Sequence, residues 1–231
     1  MPGRLNHYND TAFVKDAQKK LPNFINRVGN LNAFYNIPPT SPIATLLDTG
    51  EYLYSHFGLI PSWAKQASQM QINARSENIF ERKTFTESFR SRRCLIPVNG
   101  WYEWKVENDS KQPFYVYPED KSYVAFAGVW DVWRDPQRDV EFVGSAIITC
   151  EPNSTIETIH HRMPVILDKE DWALWLDKSA PIEEVYALLK PFKARKLAIH
   201  EVSLEVNSVD FQDPRCIEFK KTNPIEQGRL F

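Results

Sequence analysis

The sequence is short of several things, and each shortage excludes something. It holds three cysteines, Cys94, Cys150 and Cys216, widely spaced and without a CxxC pair. An odd, scattered set argues against a disulfide framework and against a zinc ribbon, and leaves three buried thiols as the expectation. No metal and no cofactor are expected. No apolar run approaches the ~18 residues of a membrane-spanning helix, so no membrane partner is expected. The stretch from Arg4 to Asp10 is polar and lacks the apolar center of a signal peptide. Net charge is also small: the formal value is −2. Global attraction to nucleic acid is therefore absent, and any nucleic-acid surface must come from local clustering. Glycine is scarce at 8 residues, against 16 prolines. That balance suggests many short elements joined by stiff turns.

What is present suffices for a large core. The chain is 42% hydrophobic and 13% aromatic, which excludes wholesale disorder. No repeat, low-complexity tract or flexible linker interrupts it. Asp10 and Thr11 can cap a helix running to about Leu21, with Phe13, Ala17 and Leu21 at helical spacing. "PIATLLD" and "EYLYSHFGLI" read as two strands around Thr49-Gly50. From Ser76 to Arg93 the pattern is helical and polar. Strands are expected at 93–98, 100–105, 113–117, 123–130 and 141–150. Asp168 can cap a helix that turns Trp172, Trp175 and Leu176 inward, and Pro181 can start another over 182–190. Strands outnumber helices and do not alternate with them, which favors α+β over a doubly wound sheet.

Several polar residues sit inside apolar sequence. Glu103 lies in "GWYEW" on an expected strand, where alternation puts it on one face with Trp101, and Tyr102 with Trp104 on the other. A carboxylate beside indoles loses solvation, so its pKa rises toward neutrality and it can shuttle protons. An edge-strand glutamate in water is the competing reading, favored on this residue alone. His160 and His161 precede Arg162 in "IHHRMP". On an extended segment the two rings point opposite ways and cannot easily share a metal. A lone histidine is more often structural than catalytic, but a phosphate-binding arginine beside it suits a DNA site. Asn73 and Arg75 in "INARSE" would project to one side of an extended loop. An amide there can hold a carbonyl or hydroxyl, and a guanidinium can hold phosphate. A turn asparagine and a surface arginine are the plain alternative. Between residues 75 and 93, six basic residues face three glutamates, interleaved with Phe80, Phe85 and Phe89. This fits a basic groove or an amphipathic helix pair packed on the sheet. Trp63 in "IPSWAK" is a stacking platform or a core residue.

The joint order of the segments carries more than any one of them. "MPGR", "YNIPPT", "GLIPSWAK", "INARSE", "RRCLIPVNGWYEW", "QPFYVY", "AGVWD", "AIIT", "IHHRMPVIL" and "VNSV" together resemble the SOS-response-associated peptidase (SRAP) family. The resemblance runs from Met1 to about Cys216, so an SRAP-like domain is expected over 1–216 and a tail over 217–231. It implies a single compact domain with a barrel-like antiparallel β core, flanking helices and a groove for single-stranded DNA. It implies a DNA damage response protein, acting in the cytoplasm at damaged sites of a bacterial nucleoid, that recognizes abasic sites. In the family, removal of methionine exposes a cysteine whose amine and thiol close a thiazolidine ring on the sugar aldehyde. The peptidase label refers to that self-removal. By this resemblance Asn73, Glu103 and His160 assist the chemistry at residue 2. Arg4, Arg75 and Arg162 hold the DNA backbone, and Pro39, Trp63 and Thr149 complete the DNA contacts.

Residue 2 departs from the family pattern: it is Pro2. Proline has no thiol, so the thiazolidine cannot form. With Met1 removed, the secondary amine of Pro2 can still form an iminium ion with the aldehyde and support lyase-type strand cleavage. With Met1 retained, that nitrogen is a tertiary amide, and a noncovalent single-stranded DNA binding module is the alternative. The end of the chain, Gln227-Gly228-Arg229-Leu230-Phe231, resembles a peptide by which bacterial repair proteins dock to the sliding clamp, with Gln227, Leu230 and Phe231 as anchors.

Overall fold

The structure is a computed structural model that describes residues 2–107 and 110–220. The sliding-clamp sequence lies outside the described residues. In chain order the elements are β1 (Leu5–His7), α1 (Thr11–Lys20), β2 (Ile25–Asn26), β3 (Phe34–Ile37), β4 (Pro42–Leu47), β5 (Glu51–Phe57), β6 (Asn73–Arg75) and α2 (Lys83–Ser91). There follow β7 (Arg93–Val98), β8 (Gly100–Glu107), β9 (Ser110–Pro118), β10 (Val124–Arg134), β11 (Glu141–Cys150), β12 (Met163–Pro164) and β13 (Ile166–Leu167). The last are α3 (Trp172–Leu176), α4 (Ile182–Tyr186) and β14 (Leu197–Glu201).

Strands β11, β10, β7, β4 and β5 run side by side, and β11 pairs again with β5. That last, parallel pairing matches Gly144 with His56 and closes the strands into a barrel. Closure needs glycine. A Cβ on Gly144 would lie 2.5 Å from the Gly58 carbonyl oxygen, and Gly58 itself has a φ of +139° that side chains rarely adopt. The second sheet has the order β14-β9-β8-β1-β3. Its inner face lays Leu5, Trp101 and Val116 into the same core as the barrel residues Leu95, Ile96 and Phe126. The edge of the Trp101 ring meets Phe126 at 5.3 Å. The chain is therefore α+β, with a barrel-like β core, as expected.

Most expected elements are present, and the departures have local causes. The helix expected across 76–93 is broken. A 3₁₀ turn spans Ser76–Asn78, and α2 begins only at Lys83. The Asn78 carbonyl is taken by the amides of both Glu81 and Arg82, which turns the chain between the two pieces. α2 buries Phe85 and Phe89, so this stretch is an amphipathic helix packed on the sheet. Arg93 is buried, and it donates to the carbonyls of Trp175, Phe89, Arg90 and Asp177 at 2.6–2.9 Å. Asp168 precedes a 3₁₀ turn at Lys169–Asp171, and α3 with its buried Trp172 and Trp175 starts after it. The helix after Pro181 ends at Tyr186 rather than reaching Lys190. Cys94, Cys150 and Cys216 are free and buried.

Candidate active site

The site lies on the seam between the two sheets, where the start of the chain runs beside β8. β1 pairs antiparallel with β8, matching Leu5 with Trp101. The Tyr102 amide then donates to the Arg4 carbonyl at 3.0 Å, which carries the pairing toward the start of the chain. Along β8 the expected alternation holds. Trp101 joins the main core, whereas Tyr102 and Trp104 pack in a separate aromatic cluster on the outer face with Tyr115 and Cys216. Glu103 shares the face of Trp101 and is 2% exposed. Burial pushes its carboxyl up to about 7, against the opposing pull of the chain's positive amino terminus and of the Trp101 indole. Glu103 therefore keeps its proton to a higher pH than an ordinary glutamate.

The barrel supplies the other two groups. β6 lies parallel on β11, pairing Asn73 with Ile147 and Arg75 with Thr149. Ala74 faces the core, so Asn73 and Arg75 project to one side, as expected. The Asn73 side-chain amide donates to the Pro2 carbonyl at 3.1 Å, and this bond crosses the seam. The Asn73 Oδ1 is buried and receives no hydrogen bond from the described residues. His160 follows a 3₁₀ turn at Ile156–Thr158, and its Nε2 stands 3.8 Å from the Glu103 carboxylate. Its Nδ1 lies 3.0 Å from both the amide nitrogen and the carbonyl oxygen of Arg162. Neutral imidazole can accept from that amide, which leaves its hydrogen on Nε2 toward Glu103. Imidazolium can instead donate to the carbonyl. Either protonation state thus has a main-chain partner. Desolvation and the charge of the amino terminus hold the His160 pKa below its usual value, so the neutral form prevails at pH 7. Glu103 and His160 face each other, and Asn73 holds the carbonyl of the buried Pro2, so the three gather at the start of the chain.

The two histidines do not point opposite ways. His160 and His161 leave a turn rather than a strand, and their rings stack at 4.4 Å. Among the described residues no cluster of metal-ligating side chains occurs. His160 and His161 open onto a cleft of about 830 Å³ walled also by Trp104, Val106, Glu151 and Glu157.

The residues expected on DNA are placed unevenly. Arg75 is exposed beside Asn73, and Pro39 is half-buried. Trp63 is 45% exposed with the Lys83 ammonium 4.9 Å over its ring, which suits a platform more than a core residue. Arg4 is engaged within the fold. Its guanidinium donates to Asn36 Oδ1 and the Val206 carbonyl and stacks over Trp104 at 5.6 Å. Thr149 has no exposed surface, and its hydroxyl donates to the Ala74 carbonyl at 3.3 Å. Thr149 therefore supports the site from below instead of lining it. Arg162 is 8% exposed and forks onto Glu77, at 2.5 and 2.9 Å, with a further bond to the Thr149 carbonyl. Glu77 lies in "INARSE" but carried no signal of its own, because its partner is 85 positions away in the chain.

Comparison with known proteins gives a consistent result. A family model described as SOS response associated peptidase (SRAP) matches residues 1–209. The abasic site processing protein YoqW of Bacillus subtilis is 34% identical over 197 residues, covering 82% of this chain and 88% of that protein. The abasic site processing protein HMCES of Gallus gallus is 30% identical over 251 residues, covering 93% of this chain and 72% of that protein. A crystal structure of a Bacteroides thetaiotaomicron protein superimposes with a TM-score of 0.82 at 27% identity, covering 94% of this chain and all of that one.

Proposed function

The chain belongs to the SOS response associated peptidase family, and from that premise we propose that it is a DNA damage response protein that recognizes abasic sites in single-stranded DNA and reacts with them at residue 2. The reading is supported by its relatives, which are named as abasic site processing proteins. Above all it is supported by one observation: at the start of the chain Asn73 bonds the Pro2 carbonyl, and Glu103 and His160, which face each other, both feel the amino-terminal charge.

The chemistry follows from the groups present. With Met1 removed, Pro2 carries a secondary amine, whose α-amino pKa of about 7.7–8.0 leaves a neutral fraction at pH 7. Its lone pair attacks the C1′ aldehyde of the ring-opened sugar to give a carbinolamine. Glu103 in its acid form protonates the hydroxyl, which leaves as water, and an iminium ion remains. The iminium acidifies C2′. Glu103, ionized once it has protonated the departing hydroxyl, takes a C2′ proton while the His160 Nε2–H supports its charge, and the electron pair expels the 3′ phosphate. Addition of water to the conjugated iminium then returns the aldehyde product and the free amine. The Asn73 amide fixes residue 2 through its carbonyl, and Asn73 Oδ1 is an acceptor suited to a sugar hydroxyl. Proline in place of cysteine removes the thiol that would trap the iminium as a stable ring, so turnover replaces a lasting crosslink.

Borohydride reduction of Met1-free protein mixed with an abasic single-stranded oligonucleotide tests this. Covalent capture together with strand cleavage is expected, and both should be absent when the oligonucleotide has all its bases. DNA binding with neither capture nor cleavage would leave the noncovalent binding module as the function.

A further inference from the structure

Arg162 has the composition of a phosphate ligand but not the surroundings of one. It is nearly buried, both of its terminal nitrogens meet the Glu77 carboxylate, and one also meets the Thr149 carbonyl and hydroxyl. Its own amide and carbonyl flank His160 Nδ1 at 3.0 Å. Thr149 in turn bonds the Ala74 carbonyl, and Ala74 is the residue beside Asn73. Anchored at one end by Glu77, a single side chain thus ties together the segment that orients the imidazole and the strand that presents the amide.

We propose that Glu77 is a positioning residue of this site, acting through the Arg162 guanidinium to fix the main-chain amide that sets the orientation and tautomer of His160. The inference rests on the reading of His160 as the Nε2–H partner that supports proton transfer by Glu103. The physical reason is the fork. A bidentate guanidinium–carboxylate pair fixes the angle as well as the distance of its partner, which a single charge cannot do. With Arg162 locked, its amide faces Nδ1, and the imidazole hydrogen stays on Nε2, directed at Glu103. With the lock released, the largely buried guanidinium must seek other acceptors, the 160–162 segment shifts, and both tautomers become accessible. Glu77 is about half exposed, so replacing it leaves no cavity in the core.

The test uses the full chain without DNA and reads the tautomer of neutral His160 from its ring ¹⁵N shifts, in wild type, Glu77→Gln and Arg162→Lys. The other groups facing the ring remain in place in every variant: Glu103 from β8, the stacked His161, and Lys105, Glu151 and Glu157 around the cleft. Wild type is expected to hold His160 predominantly as the Nε2–H form, and both variants to populate the two forms comparably. Arg162→Lys keeps the charge but loses the fork, so a purely electrostatic influence would leave its tautomer unchanged. In capture assays, Glu77→Gln should lower the single-turnover rate about tenfold with little change in DNA affinity. A folded Glu77→Gln protein with the wild-type tautomer ratio would overturn the inference, and Arg162→Lys decides in the same way if that variant fails to fold. No capture by wild type, with the tautomer shift intact, would count against the proposed function and not against this role of Glu77.

Discussion

Two buried arginines, Arg93 and Arg162, invite comparison because the sequence offers both as basic residues near a DNA site. Arg93 stands where α2, β7 and α3 meet and gives its hydrogens to four main-chain carbonyls. Arg162 stands at the seam of the two sheets and gives its hydrogens to a half-exposed carboxylate and to Thr149. Main-chain carbonyls at the ends of helices need donors wherever the chain folds this way, so Arg93 belongs to the scaffold. A side-chain carboxylate on a short turn can be altered without dismantling an element, so Arg162 belongs to the site. What separates scaffold from site in this molecule is the kind of partner a charge has, more than its depth.

Substitutions can break or sharpen that contrast. The largest effect belongs to the scaffold corner. Arg93→Met leaves four buried carbonyls without their donor and should cost on the order of 4 kcal/mol, read from the denaturant midpoint. Capture of abasic DNA by the fraction that remains folded should be unchanged. Glu103 comes next, and its sign is specific. Its folded pKa of about 7 lies above the reference 4.5. The stability tied to that shift is therefore complete below about pH 4.5 and is lost as the pH rises through 7, in total about 3 kcal/mol. Glu103→Gln should abolish that slope between pH 4.5 and 7.5, making the variant relatively more stable at pH 8, while capture falls steeply. A variant whose pH–stability curve parallels wild type would mean that Glu103 is not the titrating group. Arg162→Met should cost only about 1–2 kcal/mol, because Glu77 can turn to water. Its effect on capture should nonetheless exceed tenfold, the reverse of Arg93. Trp63→Ala should move stability least, by about 0.5–1 kcal/mol, while weakening single-stranded DNA binding by the ~1–3 kcal/mol of one stacked base. Fluorescence anisotropy at fixed salt reads the latter.

Much of the scaffold was legible in the sequence because its signals are local. The long strands β7 to β11 announce themselves by apolar and aromatic runs with turn residues between them, and Phe13 and Ala17 mark the buried stripe of α1. The alternation that separates Trp101 and Glu103 from Tyr102 and Trp104 was likewise readable. What stayed hidden depends on pairing between distant segments. The parallel contacts of β11 with β5 and β6 close the barrel and place Asn73, yet they join residues some 75–90 positions apart. The two-residue strands β12 and β13 are too short to have a period. The histidine pair was misread because alternation was applied to a segment that leaves a 3₁₀ turn. Arg162 was recognizable as a cation, but Glu77 as its partner was not, since only the assembled fold brings a turn of one segment against another.

The claim on which the account depends is that these three side chains prepare the nitrogen of residue 2 for a sugar aldehyde. Peptide mapping by mass spectrometry of the borohydride-reduced adduct tests it most directly, using Met1-free protein and an abasic single-stranded oligonucleotide at pH 7. The account predicts a reduced sugar linked to the amine of Pro2, and its loss in Glu103→Gln. A linkage at a surface lysine such as Lys105, or tight DNA binding with no linkage at all, would contradict it.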